Sequence, residues 1–178
     1  HIGRMAEGGR RKAAWVFSVF ETRDAQTMLT LYKSLVRSLL EYCCPLWNPS
    51  KIGDIQTLEA VQRSFTSRIE GCKGWSYWER LKRLDLMSLQ RRRERYIMIH
   101  MWKLYHDRTS NDLKIEFLDK GRIGIQAERP PISKTGTGTH KTLYDESFAA
   151  MGPKLWNSLP AAINRLDDFE AFKRALTS

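Results

Sequence analysis

The segment from Met28 to Leu39 repeats its apolar side chains with the period of an α-helix. This period constrains the fold more than any other feature of the chain. One stripe at helical spacing contains Met28, Tyr32, Leu35, Val36 and Leu39. A second, outer stripe contains Lys33, Arg37 and Glu41, each four residues apart. Asp24 is a suitable N-cap, and Pro45 disfavours helix in its predecessor, so we expect the helix to end by Cys44.

Three further helices are predicted before residue 84. The first begins near Met5. Another begins after a Ser50 cap, ends at Gly71 and Gly74, and carries an apolar stripe of Ile55, Leu58, Val61, Phe65 and Ile69. Ser76 and Glu79 form a capping-box pattern, which predicts a short helix to about residue 84.

The second half of the chain changes character twice. Ser88 should cap a helix over residues 89–106, basic at its start and apolar nearly all round from residue 96 to residue 105. Glycines and prolines then break the helical period over residues 111–142, where strands at Ile123–Ala127 and Lys141–Tyr144 could pair as a hairpin. Helix returns in the tail, where Asp167 is predicted to cap Phe169–Leu176, with a capping-box glutamate at position 170.

These patterns together predict a mainly α fold. We expect a helical bundle with a short irregular or hairpin insertion before the C-terminal helices. The change of character places a domain boundary near residue 119, which separates a helical domain of residues 1–118 from a C-terminal extension of residues 119–178.

Positive charge is the strongest functional signal of the residues themselves. The 178 residues include 30 Lys and Arg against 20 Asp and Glu, a net charge of +10. A surplus of this size favours polyanions, although a basic protein can also be merely soluble. The candidate phosphate-binding residues are Lys33, Arg37, Arg63, Arg91, Arg92 and Arg95, followed by Arg10, Arg11 and Lys12.

A solvated, salt-bridged surface is the ordinary role of any single arginine. Successive helix residues turn by ~100°, so Arg91, Arg92 and Arg93 cannot all share one narrow face. Some of them should pair with acids or bury their stems.

The sequence points to no catalytic residue, metal site or cofactor. No paired acidic motif adjoins a strand, and we interpret Asp167-Asp168 as a helix cap rather than a metal site. The three cysteines lack zinc-type spacing and fit a reducing, intracellular compartment, nuclear or cytoplasmic. No apolar run reaches the ~20 residues of a membrane span. Because His1 is not an initiator methionine, we expect a processed chain or, more simply, an excised fragment.

The six tryptophans offer a further hypothesis, since exposed indoles can stack on bases. Each lies among apolar neighbours, so most are expected in a core or a joint between subdomains. Trp75, beside a lysine and glycines, is the one expected to be exposed.

Several blocks of the chain resemble the post-palm region of reverse transcriptases from LINE-type (non-LTR) retrotransposons. Their order and spacing are more specific than any single block. The blocks are Asp24–Pro49, Asp54–Arg68, Ser76–Gln90, Met151–Pro160 (MGPKLWNSLP) and a final helix with Phe169, Phe172 and Lys173. Residues 111–145 resemble the family least.

The resemblance implies a thumb and C-terminal extension. In that family a helical thumb grips the template-primer duplex through its backbone, while fingers and palm carry the aromatic-Ala-Asp-Asp loop. Palm and fingers would lie upstream of His1. The implied function is that of a noncatalytic fragment of an RNA-directed DNA polymerase. Its implied partners are RNA or an RNA–DNA hybrid and the missing palm and fingers.

Two other functions stay open. The chain could be a protein-interaction module derived from such an element and reused by a host, with basic faces that dock an acidic partner. It could also be an inert fragment whose apolar faces need the missing palm, in which case it should self-associate.

Overall fold

The computed structural model describes residues 2–44, 47–112, 114–128, 144 and 147–177. It is mainly helical, with a small two-stranded hairpin before the C-terminal helices, which confirms the predicted fold class. The chain forms two compact units: unit 1 is His1–Cys43 with Pro49–Arg92, and unit 2 is Cys44–Asn48 with Arg93–Ser178. The predicted division of roles between residues 1–118 and 119–178 stays a prediction.

Helices make up unit 1, and their N-termini follow the capping signals of the sequence in three places. One is Ser88, whose Oγ accepts the Arg91 amide at 3.2 Å. Asp24 caps a helix through the Thr27 amide, at 2.9 Å, and this hydrogen bond lowers the pKa of Asp24. Ser76 and Glu79 form the predicted capping box. The elements are α1 (Ile2–Val19), α2 (Ala25–Leu31), a π-helical segment (Tyr32–Arg37), α3 (Ser38–Glu41), α4 (Ile52–Thr66), α5 (Tyr77–Arg83) and the first turn of α6 (Leu89–Tyr105).

The π-helical segment alters the predicted apolar stripe. Its wider turns, closed by i→i+5 hydrogen bonds, keep residues four apart on one face. The stripe that is fully buried therefore has a spacing of four: Met28, Tyr32, Val36 and Leu40. Leu39 was predicted on this stripe, and that prediction is wrong, because its side chain is 40% exposed.

Three other boundaries differ from the predictions. Helix α1 begins at Ile2, before its glycines, instead of near Met5. Lys51 occupies the N-cap of α4 without a side-chain hydrogen bond, so the predicted Ser50 cap is wrong. Helix α4 ends at Thr66, and Gly71 and Gly74 lie in the following loop with φ of 73° and 85°.

The core of unit 1 forms where α1 packs against α4 and α3. Gly9 permits the approach, since a Cβ there would lie 2.7 Å from Cδ2 of Leu40 and 3.3 Å from Cγ1 of Val61. The Phe65 ring lies 4.7 Å from Phe17 and 4.9 Å from Tyr32, centroid to centroid. The buried stripe with a spacing of four residues and helix α4 thus pack around one aromatic cluster.

A buried polar network joins α4 to the start of α6. Glu59, 6% exposed, accepts the Leu89 amide at 3.0 and 3.2 Å and the Tyr77 hydroxyl. Gln62 accepts the Tyr32 hydroxyl at 2.7 Å and donates to Tyr77 at 2.8 Å. Burial first, and the hydrogen bond with Glu59 second, raise the pKa of Tyr77. The network satisfies the polar groups that this packing removes from water.

Unit 2 surrounds two tryptophans, Trp102 and Trp156, both 0% exposed. In its hairpin the strands are antiparallel, with Glu116 opposite Glu128. The elements are the rest of α6, β1 (Glu116–Asp119), a 3₁₀ turn (Gly121–Ile123), β2 (Ile125–Glu128), α7 (Phe148–Asn157), α8 (Ala161–Asn164) and α9 (Phe169–Ala175).

The hairpin pairs differently from the prediction. Strand β2 overlaps the predicted Ile123–Ala127 strand and pairs with β1, whereas most of its predicted partner, Lys141–Tyr144, lies outside the described residues. Of that second segment only Tyr144 lies within the described residues, and it is not in a strand. No sequence signal marked β1, because its alternation is confined to four residues.

Two asparagines bind β2 along the side that does not pair with β1; we call this arrangement the asparagine clamp. The Asn164 amide exchanges hydrogen bonds with the N–H and C=O of Ile125, at 3.2 and 3.0 Å. Asn157 does the same with Ala127, at 2.8 and 2.9 Å. The Trp156 indole also donates to the Ile125 carbonyl, at 2.9 Å. The block MGPKLWNSLP thus has a structural role in this unit.

Helix α9 begins at Phe169 as predicted, but its N-cap lies one residue later than predicted. Asp168, not Asp167, is the N-cap, and its Oδ1 accepts the Ala171 amide at 2.6 Å. Glu170 therefore falls outside the capping-box position and pairs with Lys173 at 2.7 Å. The interpretation of the Asp-Asp pair as a helix cap is confirmed at its second residue.

Candidate nucleic-acid interface

Positive charge is concentrated in unit 1. This unit carries sixteen Lys and Arg against nine Asp and Glu, whereas unit 2 carries fourteen against eleven. Seven of the ten net charges therefore belong to unit 1. A polyanion that binds this chain should meet its strongest field there.

The predicted cations of α1 and the π-helical segment differ in their surroundings. Arg10, Arg11 and Lys33 are exposed, and none has a hydrogen bond or ion pair within the described part of the chain. Lys12 is half-buried, with its Nζ 5.1 Å from the centroid of the Trp15 ring. The first three are therefore free to contact phosphate.

Glu41 is the acidic partner of two of the predicted cations. Arg92 donates from Nη2 to Oε2 of Glu41 at 3.0 Å, and its Nε contacts Oε1 at 2.5 Å. Arg37 Nε lies 3.8 Å from the same carboxylate. These two arginines bind an acid of their own chain, so a phosphate would have to share them with Glu41.

The arginine run of α6 divides as the 100° turn requires. Arg91 is exposed, Arg92 is ion-paired, and Arg93 is 0% exposed, with its guanidinium 5.9 Å from the Trp47 ring. Arg95 is half-buried and donates to the Lys173 carbonyl at 3.2 Å. The prediction that some of these residues pair or bury their stems is confirmed. Arg95 belongs to unit 2, whereas Arg91 and Arg92 belong to unit 1.

Arg63 remains accessible, while a neighbouring arginine does not. The Arg63 guanidinium is exposed and lies 4.9 Å from the centroid of the Tyr77 ring. Arg80 is 8% exposed and donates to the carbonyls of Trp75 and Arg63, at 2.6 and 3.2 Å. Arg80 therefore satisfies the C-terminal end of α4 instead of facing a ligand.

A basic recess was missed by the sequence reasoning. Two hollows, of about 190 and 510 Å³, share Phe17 and Arg68 as walls; we call them together the Phe17 recess. Four cations and one acid line it: Arg10, Arg23, Arg68, Lys73 and Glu70. A recess with this excess of cations favours an anionic group.

Phe17 orients two of these guanidinium groups. Those of Arg23 and Arg68 lie 5.1 and 4.9 Å from its ring centroid. Arg23 is further fixed because it donates to the carbonyls of Phe17 at 3.0 Å, Thr22 at 2.7 Å and Phe20. Arg68 is exposed, and its side chain has no hydrogen bond or ion pair within the described residues. Arg68 is thus held by its contact with the ring while its donors stay open to a ligand.

The recess depends on contacts between distant segments. The Glu70 amide donates to the Arg23 carbonyl at 2.8 Å and so ties the loop after α4 to the linker between α1 and α2. Arg23 and Lys73 stand alone in the sequence, outside any basic run. The only local signal was the seven-residue spacing of Arg10 and Phe17, which places both on one face of α1.

Tryptophan exposure corrects one expectation. Trp75 is exposed as predicted, at 44%, but Trp78 at 63% and Trp15 at 48% are exposed as well. Three of the six tryptophans are exposed, so the expectation that most of them lie in a core or a joint between subdomains is wrong. Only Trp102 and Trp156 are fully buried among the described tryptophans.

Within the described ranges, no group of three or more His, Cys, Asp or Glu side chains lies in position to hold a metal ion. Cys43, Cys44 and Cys72 form no disulfide with one another, and Cys43 is exposed. None of the helices in the described ranges has the length and apolarity needed to span a bilayer.

Comparison with protein-family models, with curated proteins and with solved structures finds no match to this chain. The resemblance to reverse transcriptases therefore stays a prediction, and any function is argued from the residues.

Proposed function

We propose that this chain binds the sugar-phosphate backbone of RNA or of an RNA–DNA hybrid. In this proposal it is a noncatalytic, thumb-like part of a non-LTR retrotransposon reverse transcriptase, with the catalytic carboxylates on palm and fingers. The observation that carries the proposal is the excess of open cations in unit 1. Arg10 and Arg68, with Lys73 nearby, are exposed around one recess and have no acidic partner among the described residues.

The physical argument is electrostatic. Lysine and arginine side chains that replace condensed counterions on phosphates gain free energy from counterion release, without reading base sequence. Such contacts also let a protein slide along a duplex, which a polymerase thumb requires. Exposed Arg11, Lys33, Arg63 and Arg91 would extend the contact surface. The proposal places the complex in an intracellular, nuclear or cytoplasmic, setting.

The test is the salt dependence of binding. A labelled RNA–DNA hybrid is titrated with the intact chain at several salt concentrations, and then with the triple variant Arg10→Gln, Arg68→Gln, Lys73→Gln. If all three contact phosphates, the slope of log K against log salt should fall in magnitude by about 2 to 3.

A control with the same loss of charge separates contact from net charge. Lys120, Arg122 and Lys154 are exposed residues of unit 2, and their triple change to Gln also removes three positive charges. This control should retain most of the wild-type slope. Equal losses in both triple variants would show that only net charge matters, and no binding at low salt would reject the proposed function.

A protein-interaction module is the second candidate function. Exposed apolar side chains of unit 1 favour it: Val19 at 52%, Leu39 at 40% and Tyr42 at 69%. It predicts no hybrid binding at low salt but saturable binding of an acidic partner. If these side chains instead belong against a missing palm, size-exclusion chromatography should show concentration-dependent self-association.

A further inference from the structure

A second recess in unit 1 differs in character from the Phe17 recess. It encloses about 300 Å³ between the start of α4, α5 and the start of α6, at the lower end of the ~300–1,000 Å³ range of small-ligand sites. We call it the Trp78 recess. Its walls are Ile52, Ile55, Gln56, Glu59, Arg63, Trp78, Ser88 and Gln90.

An exposed aromatic side chain, Trp78, lines this recess next to a residue that is held by buried hydrogen bonds. Trp78 is 63% exposed, and its ring lies 5.3 Å from that of Tyr77, at an interplanar angle of 51°. Tyr77 is itself held by hydrogen bonds with Glu59 and Gln62. Ile52, 72% exposed, adds an apolar wall. Trp78 therefore lies at the recess with most of its surface open to solvent.

The polar groups of the recess are amides and one cation. Gln56 is exposed and has no hydrogen bond within the described residues, and the Gln90 side chain lies in the same wall. Arg63 supplies an exposed guanidinium. The one carboxylate, Glu59, is buried and already accepts the Leu89 amide and the Tyr77 hydroxyl. An anionic ligand would thus meet no free acid.

We propose that the Trp78 recess holds an unpaired nucleobase of a single-stranded extension. The base stacks on Trp78, its edge bonds to the amide side chains, and its phosphate contacts Arg63. Amides both donate and accept, so they accommodate any base edge, and stacking is likewise sequence-tolerant. The excess of seven positive charges in unit 1 favours a nucleic acid over a neutral apolar peptide. This inference rests on the proposed function and names the form of nucleic acid preferred: a duplex with an unpaired tail.

The experiment compares three labelled RNA–DNA hybrids of equal duplex length. One is blunt, one has a three-nucleotide single-stranded tail, and one has the same tail with abasic sites. The wild-type chain should bind the tailed hybrid more tightly than either of the others. Trp78→Ala should reduce affinity for the tailed hybrid by about 5- to 150-fold, the range for loss of one base stack. The affinity of Trp78→Ala for the blunt and abasic hybrids should equal that of the wild-type chain.

Two variants control for folding and for exposed indoles in general. Trp78→Phe keeps an aromatic face and should retain most of the preference for the tail. Trp75→Ala removes another exposed indole, which is 44% exposed and lies 5.3 Å from the Arg83 guanidinium. This variant should bind all three hybrids with wild-type affinity. Circular dichroism checks that each variant is folded.

The outcomes separate the two proposals. Salt-dependent binding of all three hybrids with equal affinity would overturn the tail proposal and leave backbone binding intact. An equal loss of affinity for the blunt and tailed hybrids in Trp78→Ala would also overturn it. So would Trp78-dependent, saturable binding of a peptide by a chain that binds no hybrid. Failure to bind any hybrid at low salt would reject both proposals.

Discussion

Adjacent glycines of α1 should respond to the same substitution with opposite signs. Gly8→Ala adds a Cβ that meets nothing within 4 Å, so it should stabilise the helix by ~0.5–1 kcal/mol. Gly9→Ala gains the same helix propensity, but its Cβ would lie 2.7 Å from Cδ2 of fully buried Leu40. Overpacking a core costs ~1–3 kcal/mol. Because the propensity gain is common to both, the difference between the variants should equal this steric cost.

Urea unfolding followed by circular dichroism measures that difference. A double variant tests its cause, because Leu40→Ala removes the atom that a Cβ at Gly9 would meet. In the Leu40→Ala background the penalty of Gly9→Ala should therefore shrink toward the Gly8→Ala value, a coupling between contacting residues. Equal stabilisation by Gly8→Ala and Gly9→Ala in the wild-type background would refute the close approach of α1 to the core.

Three further perturbations test the buried polar groups. Glu59→Ala should lower the free energy of unfolding by ~2–5 kcal/mol, since it leaves the Leu89 amide and the buried Tyr77 hydroxyl without acceptors. A decrease below ~1 kcal/mol in urea unfolding would contradict the network. Burial raises the pKa of Tyr32 above 10.0, so the neutral form is favoured in the folded state. The contribution of Tyr32 to the free energy of unfolding should then be fully present below pH 10 and decline by ~1.4 kcal/mol per pH unit above it. Urea titrations at pH 9 to 11 should show that Tyr32→Phe removes this part of the decline. Asn164→Ala should cost ~1–3 kcal/mol and speed hydrogen exchange at the Ile125 amide, whereas an unchanged exchange rate would show that another group protects it.

Local chemistry explains which parts of the fold were predictable from the sequence. The caps at Asp24 and Ser76 bond to amides only three residues away, so their signals lie within one helical turn. The shift from Asp167 to Asp168 shows the limit of this reasoning, because adjacent carboxylates carry the same signal. The π-helical segment could not be predicted, since its apolar stripe fits an α-helix almost as well.

The candidate interface was predictable only in part, for a related reason. Runs of basic residues predicted accessible positive charge on α1 and α6. Arg10 in α1 and Arg91 in α6 are indeed exposed. The pairing of Arg92 with Glu41 joins residues 51 positions apart, so no local pattern could show that this cation is neutralised. Arg68 was visible as a charge on the third predicted helix, but its recess exists only once α1 and the loop after α4 meet.

The asparagine clamp bears on shortened forms of the chain. A strand whose peptide groups lack partners is a template for another chain, and proteins protect such edges from intermolecular pairing. Here the protection comes from side chains at the ends of α7 and α8, which occupy the N–H and C=O of Ile125 and Ala127. A version cut before Phe148 would bare that edge while keeping β1 and β2. Such a product should add strands from its neighbours and precipitate, although every residue of the basic unit would remain present.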